Sequence, residues 1–180
     1  TPPYDLEAEQ ALLGRILGVN NRAYDKVADF LRPDHFADPV HARIFEAIGK
    51  LLHRGQQADA ITLKSYFDQD GALAEVGGAT YLARLAAAAA ANPNSDPVGY
   101  GRVVHDLAVR RQLIDIGEDV VNRAFDHDID MPAEDQIERA ESALFEIAET
   151  GSIGRGFISF RDVLIETIEL AEQAHRREGR

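Results

Sequence analysis

The sequence predicts an all-α protein: a globular helical head, then a long antiparallel helical hairpin, then a separate C-terminal linker helix. Three observations carry that reading. No segment alternates apolar and polar residues as a half-buried strand would. Apolar residues instead recur at steps of three and four along most of the chain. The run from Pro97 to Phe125 has no proline after its first residue and no composition break, so it reads as one helix of about 25–28 residues, about 40 Å long at 1.5 Å per residue.

The expected elements follow in order. Asp5 is placed to cap a first helix built on Leu6, Leu12, Leu13, Ile16 and Leu17, with Glu7 and Glu9 near its positive end and Gly18 closing it. Tyr24, Val27, Phe30 and Leu31 suggest a short second helix. RPDHFADP, with Pro33 and Pro39, reads as a turn or a single helical turn. Val40, Ile44, Ile48, Leu51 and Leu52 line one side of a third helix with Phe45 beside them, stopped by Gly55. After a short extended piece at Ala58 to Ala60, Thr62 is expected to cap a helix carrying Leu63, Tyr66 and Phe67. Gly71 closes that helix, and Leu73 to Val76 makes one more turn. Gly77 and Gly78 break the chain before a helix with Tyr81, Leu82 and Leu85, and Ala86 to Ala91 extend it while burying little.

The hairpin is the dominant feature. On its first limb Val109, Leu113, Ile116 and Val120 form one apolar seam, and Leu107, Ile114, Val121 and Phe125 a second. The return limb places Ile137, Ala140, Leu144, Ile147 and Ala148 on one face, between Pro132 and Gly151. Two helices cannot cover both seams alone, so a further surface is required, from the rest of the chain or a second copy. Asp126 to Asp130 is the polar joint. From Asp126 to Glu149 there are nine acidic residues against one Arg, which fits a solvated face first and a docking face for a basic partner second.

The domain organisation expected is a head over 1–96, the hairpin over 97–150, a flexible linker over 151–158 and a linker helix over 159–180. GSIGRG supplies the glycines of the linker. In the last helix Phe160, Val163, Leu164, Ile168, Leu170, Ala171 and Ala174 fall in a stripe about 160° wide on a wheel of 100° per residue. Such a stripe needs an apolar surface to cover it.

Composition excludes several functions. With no cysteine, disulfides, thiol catalysis and zinc–thiolate sites are ruled out, and a reducing cytoplasm is the default compartment. A formal charge of −12 argues against a surface that grips phosphate backbones as a whole. The chain starts at Thr1 with a single internal Met131, the pattern expected of a processed product or a piece of a larger one. No GxxxxGK[ST] phosphate loop is present. GGATYL reads as a helix start needing close backbone packing. The six histidines lack metal-ligand spacing, and His35 and His127 are expected to be solvated on loops. No catalytic residue, cofactor site or metal site is therefore assigned.

Four segments in order carry a resemblance: DLEAEQALLGRIL, HARIFEAIGKL, ADAITLKSYFDQDGALAEVGGATYLARL and YGRVVHDLAVRRQLIDIGEDV. Over about Pro2 to Glu149 the chain resembles the N-terminal domain of bacterial DnaB-family replicative DNA helicases, and Phe157 to Arg180 resembles their linker helix. The alanine run Ala86 to Ala91 departs from the family's shorter, more polar passage. The resemblance implies a hexameric ATP-dependent helicase, with Mg and ATP used by a motor domain outside this chain and single-stranded DNA met only through the parent protein. It implies self-pairing of hairpins into a collar of three dimers, on the residues Val109, Leu113, Ile116, Val120, Ile137, Leu144 and Ile147. It implies primase and, in some systems, a helicase loader as partners, and a linker helix seated on the motor domain of a neighbouring subunit. The alternative readings are a stand-alone helical adaptor that dimerises through the same hairpin, and a small helical enzyme, for which no convergent polar cluster is evident.

Overall fold

The structure is a computed structural model and describes residues 1–18, 21–69, 74–75, 77–91, 95–126 and 132–151. Among the described residues there are α-helices and one 3-10 turn and no strand. The helices are α1 (Leu6–Gly18), α2 (Arg22–Asp25), α3 (Pro39–His53), α4 (Ala60–Gln69), α5 (Gly78–Ala91), α6 (Pro97–Phe125) and α7 (Ala133–Gly151), with the 3-10 turn at Pro33–His35 before α3. The expected linker helix lies outside the described residues.

Local chemistry explains the helix starts. Asp5 accepts the Ala8 amide at 2.9 Å. Asp38 accepts from Val40 at 2.8 Å and Asp96 from Val98 and Gly99 at 3.0 and 3.1 Å, each just before a proline at the first helical position. At α4 the expectation of a Thr62 cap is corrected. Asp59 is the cap, accepting from Ile61 and Thr62 at 2.9 and 2.8 Å, and the Thr62 hydroxyl reaches back to accept the Asp59 amide at 2.9 Å. Thr62 is thus the third helical residue of a reciprocal box, with a hydroxyl in the place usually held by Glu.

α1 runs through the centre of the head. Leu12, Leu13 and Ile16 are fully buried against Ile44 and Ile48 of α3, Leu63 of α4 and Leu82 of α5, side chains whose burial is worth about 1.5–3 kcal/mol each. The alanine run does more than was expected of it. A Cβ on Gly14 would overlap the Leu85 carbonyl oxygen, and one on Gly18 would overlap the Ala86 carbonyl oxygen. Glycine on α1 and alanine on α5 let the two backbones touch, and Ala89 is buried there. The GGATYL glycines are needed chiefly for conformation: Gly77 and Gly78 have φ of 80° and 73°.

Glu9 and His41 are buried in this core. The Glu9 carboxylate accepts the amides of Ala37 (2.7 Å) and Asp38 (3.4 Å) and the His41 Nδ1–H (2.6 Å). His41 Nε2 meets the Tyr81 hydroxyl at 2.6 Å, and Gln10 donates to the same hydroxyl at 3.3 Å. One buried carboxylate therefore joins α1, the turn before α3, α3 itself and α5. Glu9→Ala would strand two backbone amides and an imidazole, and the expected loss is about 3 kcal/mol in urea unfolding followed by circular dichroism. Tyr81→Phe, which removes only the outer link, should cost about 1 kcal/mol. Equal effects of the two would show that Glu9 is not the hub.

Candidate interaction surface of the helical hairpin

α6 belongs to two environments. Its first three turns are part of the head: Gly101, Val104 and Ala108 are buried, and a Cβ on Gly101 would press on Val27 and Phe30. The guanidinium of Arg111 closes this root, donating from Nη1 to the Pro3 carbonyl at 2.9 Å and from Nη2 to the His35 carbonyl at 2.6 Å. Arg110, its neighbour, makes an exposed pair with Asp106. Beyond Arg111 the helix leaves the head and carries α7 on one flank.

The flank that meets α7 is polar at its edges and thin at its centre. Ile116 and Val120 of α6 face Ala140 and Ala143 of α7, with Asp115, Asp119, Arg123, Gln136 and Arg139 around them. A cleft of about 240 Å³ remains between the helices there. A second cleft, towards the head, is lined by Gln112, Ile116, Ala143, Ile147 and Arg32. Alanine on the return limb opposite Ile and Val leaves the joint underfilled compared with a packed core.

Of the seam residues expected to self-associate, Val109, Ile116 and Ile147 are half-buried, and Ile116 and Ile147 line the inner clefts. Leu113, Val120, Ile137 and Leu144 are exposed. The two seams of α6 are redistributed: Leu113, Ile114, Val120 and Val121, two from each, make one stripe of exposed residues, with Val120 at the edge that also borders the α7 cleft. Phe125 (84% exposed) and Phe145 (63%) add two aromatic rings to the hairpin surface. Beyond Arg111, eight large apolar side chains of the hairpin are thus solvent-facing. The described acidic residues of the return limb, among them Glu134, Asp135, Glu138, Glu141 and Glu149, are all exposed. The linker-helix face of Phe160, Val163, Leu164, Ile168, Leu170 and Ala171 lies outside the described residues.

The histidine expectation is corrected. His35 is buried, because the 3-10 turn folds it under α6, while His127 lies outside the described residues. His35 Nδ1 accepts the Arg32 amide at 3.2 Å, and the His35 and His105 rings meet edge to face at 5.0 Å. Burial lowers the His35 pKa to about 4; Arg32, Arg111 and His105 push the same way and Asp34 opposes. Burial, with Arg32, also lowers His105, against Asp106. The buried Glu9, the Arg111 clamp and the mid-helix Gly117 were likewise missed. A charged residue at an apolar position of α1 and a glycine inside a long helix were the available signals.

Among the described residues no cluster of His, Asp and Glu is suited to a metal, and no described helix is long and apolar enough to cross a membrane. What the geometry defines is a helical head bearing a hairpin with an exposed apolar face. The sequence profile of the DnaB-like helicase N terminal domain matches residues 1–106, and the chain belongs to that family. It is similar to the replicative DNA helicase DnaB of Rickettsia conorii, 40% identical over 172 residues, which are 96% of this chain and 34% of that protein. Its identity to the Rickettsia felis protein of the same name is 44% over 146 residues, 81% of this chain and 29% of that one. The chain spans about a third of the length of these relatives. Among solved structures, the N-terminal domain of DnaB helicase from Mycobacterium tuberculosis matches with a TM-score of 0.71 and 32% identity, over 82% of this chain and 100% of that one. A DnaB-like replicative helicase whose interactions with primase were described shares the fold, with a TM-score of 0.62 at 24% identity over 92% of this chain and 35% of that one.

The neutral histidines make the hairpin root sensitive to acid. Between about pH 4 and about pH 6.5 the unfolded chain binds protons that native His35 does not. Stability rises with pH across that window. It is complete above about 6.5 and lost as the pH falls towards 4. Equilibrium unfolding at successive pH values should show this slope. His35→Asn, whose Oδ1 can still accept the Arg32 amide, should flatten it.

Proposed function

We propose that this chain is the N-terminal collar domain of a replicative DNA helicase and acts by association, not catalysis. The supporting observation is the exposed apolar face of the hairpin on a chain of this family. In this reading Val109, Leu113, Ile116, Val120, Ile137, Leu144 and Ile147 serve the hairpin contact between two copies: the exposed members meet the partner, and Ile116 and Ile147 brace the two limbs from inside. An isologous contact of this kind buries the same patch on both subunits, and three such dimers close the ring of a hexamer.

The parent enzyme hydrolyses ATP with Mg and tracks single-stranded DNA through a motor domain outside this chain, whose own sequence has no phosphate loop. Residues 1–96 and 97–150 act together as one collar unit. Residues 151–158 serve as the tether, and 159–180 as the helix that seats its apolar stripe on the motor domain of a neighbouring subunit, in the cytoplasm. Primase, and in some systems a loader, dock on the collar. The primase partnership is supported by the shared fold with a helicase described together with primase.

Sedimentation velocity decides the central point. At tens of micromolar the chain should sediment as a dimer or larger. Leu113→Glu with Val121→Glu should shift the midpoint of association at least tenfold, consistent with about 1.4 kcal/mol or more lost at the contact. A folded wild-type chain that stays monomeric at these concentrations would sink the reading.

A further inference from the structure

Among the described residues, one glycine in a helix interior has no explanation within the protomer. Gly55, Gly77 and Gly78 adopt positive φ. Gly14, Gly18, Gly49 and Gly101 each stand where a Cβ would collide with a neighbouring element, respectively α5 backbone for the first two, the Tyr24 hydroxyl, and Val27 with Phe30. Gly99 sits in the capped first turn of α6, where Asp96 holds its amide. Gly117 is different. It lies in the middle of a 29-residue helix, and a Cβ built on it would meet nothing within 4 Å. Glycine is the weakest helix former after proline, so at this position it weakens α6 and relieves no crowding inside the chain.

Its surroundings supply a reason. Leu113 and Val121 lie four residues before and after Gly117, and Ile114 and Val120 three residues before and after. On a wheel of 100° per residue these side chains stand about 40° and about 60° to either side of it. All four are exposed. Gly117 is therefore the centre of an apolar stripe with the same residue classes above and below, a notch flanked by four hydrophobic side chains.

Such a stripe matches itself when reversed. If a second α6 crosses antiparallel, Leu113 meets the other copy's Val121, Ile114 meets its Val120, and the only residue that faces itself is the central one. A two-fold contact requires this reciprocity. Glycine at the crossing lets two helix backbones approach more closely than any side chain would allow, as small residues do at other close helix pairs. Phe125, Ile137, Leu144 and Phe145 add exposed apolar side chains elsewhere on the hairpin, towards the roughly 800 Å² that each partner gives a stable interface of standard size.

We propose that Gly117 marks the two-fold axis of self-association, where α6 of one copy crosses α6 of another antiparallel, Gly117 against Gly117. This rests on the self-pairing reading above and adds its register. A hydrophobic helix of another protein laid along the same stripe would have no reason to meet a notch at its midpoint with matched flanks.

The test uses the 180-residue chain, which has no cysteine. Gly117→Cys is oxidised and run on non-reducing gels beside Glu118→Cys, one residue round the helix. A disulfide needs Cα atoms within about 7 Å, so position 117 should cross-link to the covalent dimer and position 118 at least tenfold less. In parallel, Gly117→Leu should weaken association at least tenfold in sedimentation while dilute samples melt at or above the wild-type temperature, since leucine favours the helix and the position is exposed with room for a Cβ. Gly117→Ala should show the same two opposite shifts, each smaller. A wild-type dimer whose Gly117→Leu variant associates equally tightly, or in which position 118 cross-links as readily as 117, would overturn the crossing and leave self-pairing intact. A monomeric wild-type chain would instead remove the self-pairing on which it stands.

Discussion

The buried carboxylate of Glu9 is the interaction on which the head depends. An ionisable group in an apolar core is tolerated only when its acceptor capacity is met. Here the amides of Ala37 and Asp38 and the His41 ring meet it. Because those donors come from the turn and the helix that follow in sequence, satisfying Glu9 also places α3 against α1. Tyr81 extends the same chain of contacts to α5. Apolar packing surrounds this network but does not by itself fix the order in which the helices lean on one another. A polar hub that works in only one arrangement does.

Backbone proximity is the second organising theme. Gly14 and Gly18 put α1 directly on the carbonyls of Leu85 and Ala86, and Gly101 lets α6 settle against Val27 and Phe30. These contacts use the small residues of the head, and among its described residues the exposed large apolar side chains are Tyr4, Leu6, Ile61 and Val103. The hairpin is the reverse. Its limbs meet through alanines on one side, and most of its large apolar residues beyond Arg111 are exposed. One chain thus has a head that fills its own core and an arm that does not.

Much of this was legible in the residue pattern. The helices, most of their stops and the hairpin follow from apolar spacing and from Asp, Pro and Gly at helix ends, which act locally. The elements that were not legible depend on what another segment brings. Thr62 looks like a cap until Asp59 is seen to hold the position. His35 looks like a loop histidine until α6 lies over it. The alanine run looks idle until the α1 glycines arrive. In the hairpin, spacing identified the apolar seams. It could not say which members α7 would cover, because a face about 100° wide on α6 has two edges and only one of them meets the second limb.

α6 extends about 43 Å at 1.5 Å per residue, and about 21 Å of it lies beyond Arg111. Its root is fixed by Gly101 and Val104 in the head and by the Arg111 fork on two backbone carbonyls. The geometry is that of a lever arm. A rotation of about 5° at the root carries the far end about 2 Å sideways over that length, half the width of a side-chain contact. The accuracy with which the free end is presented is therefore set by groups that never reach it: one guanidinium, two uncharged imidazoles and a glycine pressed against Phe30. Substitutions at those four positions act at a distance, steering the aim of the arm without touching what it meets.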